Sequence, residues 1–163
     1  MVATVLIIEK NGAGPTTADK TSGTVRFCNA DNATPGTSNP MVIPATGTDY
    51  SFEKWLRLKV TVAPDTNMSA LKFYTDGANG FGTGVNMYAK AVATYVQPAE
   101  ATATAGYTNA FSYTASAALD LETGTVTGTG EKGDHAVLIL TVASTASQGS
   151  LTPETITFAY DEI

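Results

Sequence analysis

Between Trp55 and Val62 every second side chain is aliphatic, and this period of two constrains the chain more than any other feature. Leu56, Leu58, Val60 and Val62 fall on one side and Trp55, Arg57, Lys59 and Thr61 on the other, as in a strand with one face turned to a core. The pattern returns twice. Leu71 and Phe73 alternate with Lys72 and Tyr74, and Val85, Met87, Ala89 and Ala91 alternate with Asn86, Tyr88 and Lys90. Further strands are expected at 2–9, 24–28, 110–114, 135–142 and 155–161. In 135–142 the run Val137, Leu138, Ile139, Leu140 is apolar on both faces, which suits a central strand. A helical period of 3.6 is sustained nowhere. The best helical candidate is 98–105, with Pro98 suited to a first turn and Thr102 and Thr104 working against it.

About eight short strands separated by Gly and Pro predict an all-β fold: one antiparallel β-sandwich, Ig-like or jelly-roll-like, with long loops. The length of 163 residues suits a single domain over 1–163. Two stretches do not fit a compact meander. Residues 11–23 lack apolar periodicity, and 29–49 carries Pro35, Pro40 and Pro44. Met41, Val42 and Ile43 form an apolar plug between two of those prolines. Two placements fit it: a loop packed over its own sheet, or an extended arm lying on a neighbouring molecule.

Nine Lys and Arg against fifteen Asp and Glu give a formal charge of −6, an acidic balance that argues against a nucleic-acid partner. With 43% apolar residues the chain is not of disordered composition. Cys28 and His135 are the only residues of their kinds, so neither a disulfide framework nor a thiolate or imidazole zinc site is expected. No metal or cofactor is implied. Gly80, Gly82 and Gly84 lack the spacing and following helix of a phosphate loop and read as a hairpin loop. The stretch from Asp76 to Gly80 lacks the regular oxygen ligands of an EF-hand. His135 follows Lys132, Gly133 and Asp134, which suggests a turn residue facing solvent, and Cys28 reads as a small packing residue. No enzyme is expected. The apolar start ends at Glu9 and Lys10, too short for a secretory signal or a membrane span.

If the strands through 52–62, 69–76 and 85–93 are neighbours, their outward positions form one patch: Trp55, Arg57, Lys59, Lys72, Tyr74, Tyr88 and Lys90. Four of the nine cations would then gather with three aromatics, the residue types enriched where proteins meet. The competing reading is a solvated sheet face guarded by lysines, or one partly covered by the second sheet. Asp120, Glu122, Asp161 and Glu162 would complement the patch on another copy or on a partner, and a homo-oligomer is expected. The terminal strands are positioned to extend a sheet edge.

The residues Tyr50 to Leu58, Phe73 to Gly77, Gly84 to Ala89 and Thr157 to Ile163 together resemble small proteins of tailed bacteriophages encoded among virion structural genes. That resemblance implies a virion component assembled in the host cytoplasm, with the major capsid protein or another virion protein as partner. A capsid decoration (cement) protein is the leading form. A head–tail connector or tail subunit is the second. A carbohydrate-binding sandwich, with Trp55, Tyr74 and Tyr88 stacking on sugar rings, is the alternative from another class. The resemblance carries over no functional residues.

Overall fold

Two antiparallel sheets face each other in the computed structural model, which describes residues 2–122 and 124–163. The larger sheet contains β1 (Thr4–Asn11), β2 (Thr16–Asp19), β3 (Thr48–Tyr50), β4 (Lys54–Val62), β6 (Val85–Val92), β7 (Thr108–Asn109) and β9 (Gly130–Ala143). Its order is β2-β1-β4-β9-β6-β7, with β3 pairing on β9 beyond the start of β4. The smaller sheet is β10-β5-β8, from β5 (Met68–Thr75), β8 (Leu119–Glu122) and β10 (Ile156–Glu162). β9 is central because it is apolar on both sides, and every residue from His135 to Val142 is buried.

The alternation places the core as expected. Leu56, Leu58, Val60, Leu71, Phe73, Val85, Met87 and Ala89 all enter one apolar cluster between the sheets. Residues opposite each other across a ladder point to the same face. Since Glu9 sits opposite Leu56, Glu9 shares this inner face with Val5 and Ile7. Lys54, opposite Leu138, does so as well.

Several sequence expectations are corrected. Residues 24–28 form no strand; they lie as irregular chain over the inner face, with Val25 and Phe27 against the core. At 110–114 a 3-10 turn, Ala110–Ser112, follows the short β7, and the Asn109 side chain caps it by accepting from the Phe111 N–H. Residues 98–105 are extended rather than helical. Their backbone is claimed by the chain before β4: Glu53 N–H donates to Ala99 O and Ala101 N–H to Ser51 O. The connection through Gly80, Gly82 and Gly84 is no hairpin, because β5 and β6 belong to different sheets. Gly84 turns the chain there with φ +78°, and a Cβ at that position would lie 2.7 Å from Ala146 N.

The segment 29–49 folds back on its own protomer. Asn29 N–H donates to Asn39 O, Asp49 Oδ2 accepts from Val42 N–H, and Met41 and Ile43 pack against the core while Val42 stands exposed. The loop reading, not the arm, describes this structure.

Candidate functional site

The patch expected from the alternation divides between two faces. β9 separates β4 from β6, and β5 lies in the other sheet. Lys72 and Tyr74 therefore sit on the outer face of the small sheet, across the molecule from Trp55, Arg57, Lys59, Tyr88 and Lys90. Alternation assigns each side chain to a face of its own strand but holds no information about which strand lies beside it.

On the large sheet the outward row is Lys10, Trp55, Val137, Lys90, in ladder register. Trp55 points outward from the sheet, yet only 2% of it is exposed. The irregular chain between β6 and β7 crosses this face and closes over the indole. Tyr95 meets Trp55 edge-on at 5.3 Å between ring centroids, and His135 does so at 5.4 Å. Tyr95 is latched by its hydroxyl, which donates to Gly12 O at 2.8 Å. Burial and the nearby Asp31 carboxylate push its phenol up to about 12.

Three cations of this face, Lys10, Arg57 and Lys90, are spent internally. Glu131 Oε2 receives Lys10 Nζ at 2.7 Å and Arg57 Nη1 at 3.2 Å, and Arg57 Nε donates to Gly133 O. Burial opposes ionisation of Glu131, but the two cations together hold its carboxyl below the usual range. Glu53 does the same work on the other flank. It lies 3.3 Å from Lys90 Nζ, accepts from the Trp55 indole N–H at 3.0 Å, and accepts from the Tyr107 hydroxyl. Lys90 also stands 4.0 Å above the centre of the Tyr107 ring. Burial, with the Glu53 contact, drives the Tyr107 phenol far above its ordinary value.

His135 is not a solvent-facing turn residue. It lies within β9, 1% exposed, with Nδ1 3.1 Å from Val92 O and Nε2 without a partner among the described residues. Burial holds its pKa below the usual imidazole value, and the cations Arg57 and Lys10 add to that.

A second buried ionic group lies on the inner face, where the loop before β3 rather than the small sheet provides the cover. Glu9 Oε1 is 3.4 Å from Lys54 Nζ and Oε2 is 3.4 Å from Lys20 Nζ. Lys54 also donates to Asn32 O and Lys20 to Ala33 O and Thr24 O, so both ammonium groups fasten the loop. Cys28 Sγ lies 3.7 Å from Lys54 Nζ within the same packing, as a buried small residue. Burial pushes the Glu9 carboxyl up, and the two lysines offset only part of that.

Of the residues singled out from sequence, Arg57 and Lys90 are ion-paired, Trp55 is sealed, and Met41 and Ile43 are packed inward. Lys59, Lys72, Tyr74, Tyr88 and Val42 retain access to solvent, and neither Lys59 nor Lys72 forms an ion pair among the described residues. Tyr88 lines an open depression of about 450 Å³ with Tyr50, Asn79, Asn86, Thr48, Thr104 and Thr141. Sequence reasoning missed Tyr50, Tyr95, Tyr107, Glu53 and Glu131. Glu9 did carry a signal, since a carboxylate two positions after Ile7 falls on the apolar side of its strand.

Among the described residues no group of three or more His, Cys, Asp or Glu side chains is placed to hold a metal ion. No helix among them is long and apolar enough to cross a membrane. No family model, curated protein or solved structure matches the chain.

Proposed function

We propose that this chain is a non-enzymatic structural protein of a bacteriophage virion, in the form of a capsid decoration protein that docks on the major capsid protein lattice. The observation that carries the reading is the use of charge. Among the described residues five of the nine cations are consumed in ion pairs inside the protomer: Lys10 and Arg57 tie β1 and β4 to β9 through Glu131, Lys90 holds Glu53 beside β4, and Lys20 and Lys54 fasten the loop before β3 around Glu9. What remains outward on the small sheet is a face on which Lys72 and Tyr74 stand beside Ala159 and Thr157 in the ladder, with the exposed Asp120 opposite Lys72 and Asp161 further along β10. A rigid module of this kind stabilises a shell passively. Each copy binds the assembled lattice and not the dissociated subunit, and the repetition of sites adds up small affinities.

The test is the composition of purified particles from a phage that encodes the chain. The reading expects it in fixed proportion to the major capsid protein, with particles losing heat resistance when it is deleted. Its absence from particles would refute the assignment. The connector or tail-subunit form expects rings or tubes of the purified protein by electron microscopy.

A carbohydrate-binding reading keeps one specific support. Tyr50 and Tyr88 flank the open depression, and amide and hydroxyl groups line it. It is Tyr50, rather than Trp55 or Tyr74, that accompanies Tyr88. A glycan array without binding, or binding unchanged by Tyr88→Ala, would remove this reading.

A further inference from the structure

The large sheet ends in β2 and β7, the small sheet in β8 and β10. Three of these edges are short. β2 and β8 have four residues and β7 has two. β10 is different: seven residues, Ile156–Glu162, without a Lys or Pro to discourage pairing. Its only ladder partner is β5. Among the described residues no backbone hydrogen bond joins 156–162 to any other segment.

A bulge often blunts such an edge, but here it sits on the wrong strand to do so. Between the pairs Ala159–Lys72 and Asp161–Ser69, β10 contributes one residue and β5 two. The extra residue belongs to β5, where Ala70 takes a left-handed φ of +51°. β10 itself carries no extra residue. Ile156, Phe158 and Tyr160 pack toward the core, and Thr157 and Ala159 lie opposite Tyr74 and Lys72 on the outer face.

We propose that the free edge of β10 pairs two copies of this chain, antiparallel about a two-fold axis at Ala159, into a continuous six-stranded sheet. The register follows from charge. With the axis at Ala159, Asp161 faces the partner's Thr157, Glu162 faces the partner's Ile156, and Phe158 meets the partner's Tyr160 on the core side. Moving the axis back to Phe158 sets Glu162 against the partner's Glu154. Moving it on to Tyr160 makes the two Asp161 carboxylates diagonal neighbours. Ala159 alone separates the acids and stacks the aromatics. The pairing is the strand-addition mode of recognition, used here by a second copy of the same chain. It holds or fails in the purified protein, whatever the outcome of the virion experiment.

Sedimentation velocity of the full chain across micromolar to submillimolar concentrations tests it. The wild type is expected to show a concentration-dependent monomer–dimer equilibrium, with slowed amide exchange at 156–162 in the dimer. Ala159→Glu places a carboxylate beside Lys72 of its own protomer, which suits the fold, and opposite itself across the axis. It is expected to raise the dimer Kd roughly tenfold or more. Thr157→Lys faces the partner's Asp161 and is expected to lower the Kd. A protein that is monomeric throughout overturns the proposal. So does a dimer whose Kd ignores Ala159→Glu, or one that Thr157→Lys weakens.

Discussion

Glu9 faces two ammonium groups at 3.4 Å, with all three side chains almost wholly removed from water. Such a group is sensitive to which member is lost. Glu9→Gln puts an amide where burial already favours the uncharged carboxyl, whereas Lys54→Met leaves Glu9 facing Lys20 alone and takes the donor from Asn32 O. Breaking a buried pair costs about 3–5 kcal/mol. Urea unfolding is therefore expected to show Lys54→Met within that range and Glu9→Gln clearly below it; a larger loss for Glu9→Gln would mean that the carboxylate charge itself holds the group together. His135 makes a prediction in pH. Its folded pKa lies below the unfolded value of ~6.5, so its stabilising contribution is present above ~6.5 and is lost as pH falls from there through the folded value. Glu9, raised in the folded state, acts oppositely: its contribution is complete below the unfolded carboxyl pKa and fades as pH rises through the folded one. The difference between wild type and His135→Leu isolates the imidazole. Over the pH unit below ~6.5 the wild type should lose up to about 1.4 kcal/mol more than the variant.

The chain between β6 and β7 acts as an element although it has no regular structure, because Tyr95 and Tyr107 anchor it at two points over Trp55. Trp55 is the only tryptophan, so its fluorescence reports this cover alone. Wild-type emission should be blue-shifted and resistant to quenching by acrylamide, and Tyr95→Ala should move it to the red and open it to quencher. An unchanged spectrum would mean that the sheet itself buries the indole. β5 offers a second case at this scale. Ala70 holds a left-handed backbone that costs an L-residue about 1–2 kcal/mol, partly offset by the greater chain entropy of a glycine. Ala70→Gly should thus raise the unfolding free energy by roughly 0.5 kcal/mol in the same urea experiment. These two elements also show what was legible beforehand. The faces of β4, β5 and β6 were readable because side-chain direction in a strand is local, and Leu56, Phe73 and Met87 lie where alternation put them. That β5 belongs to the other sheet was not, since Lys72 alternates just as Lys59 does. Nor was the burial of Trp55, because the residues that cover it carry no period at all.

The two sheets are of unequal length, and the whole molecule is shaped by how the longer one is completed. The three strands of the small sheet cover part of its inner face, and the loop between β2 and β4 covers the end that holds Glu9 and Lys54. This resolves the placement of the apolar plug, which composition alone left open: prolines make the segment extended, but extension serves a cover as well as an arm. The two placements differ in which plug residues matter to the isolated chain. A cover requires Met41 and Ile43, which pack against the core, and is indifferent to Val42, which is 58% exposed. An arm lying on a neighbour would leave the isolated protomer unaffected by any of the three. Ile43→Asp places a charge against apolar neighbours and should cost at least about 2 kcal/mol by thermal or urea unfolding of the monomer, with Met41→Asp close behind. Val42→Asp should stay within about 0.5 kcal/mol of wild type. Because the same loop is tied down by Lys20 and Lys54, the losses from Ile43→Asp and Glu9→Gln should combine to less than their sum, the second change acting on a cover already loosened by the first. Strict additivity would mean that the plug and the buried ions hold separate parts of the loop.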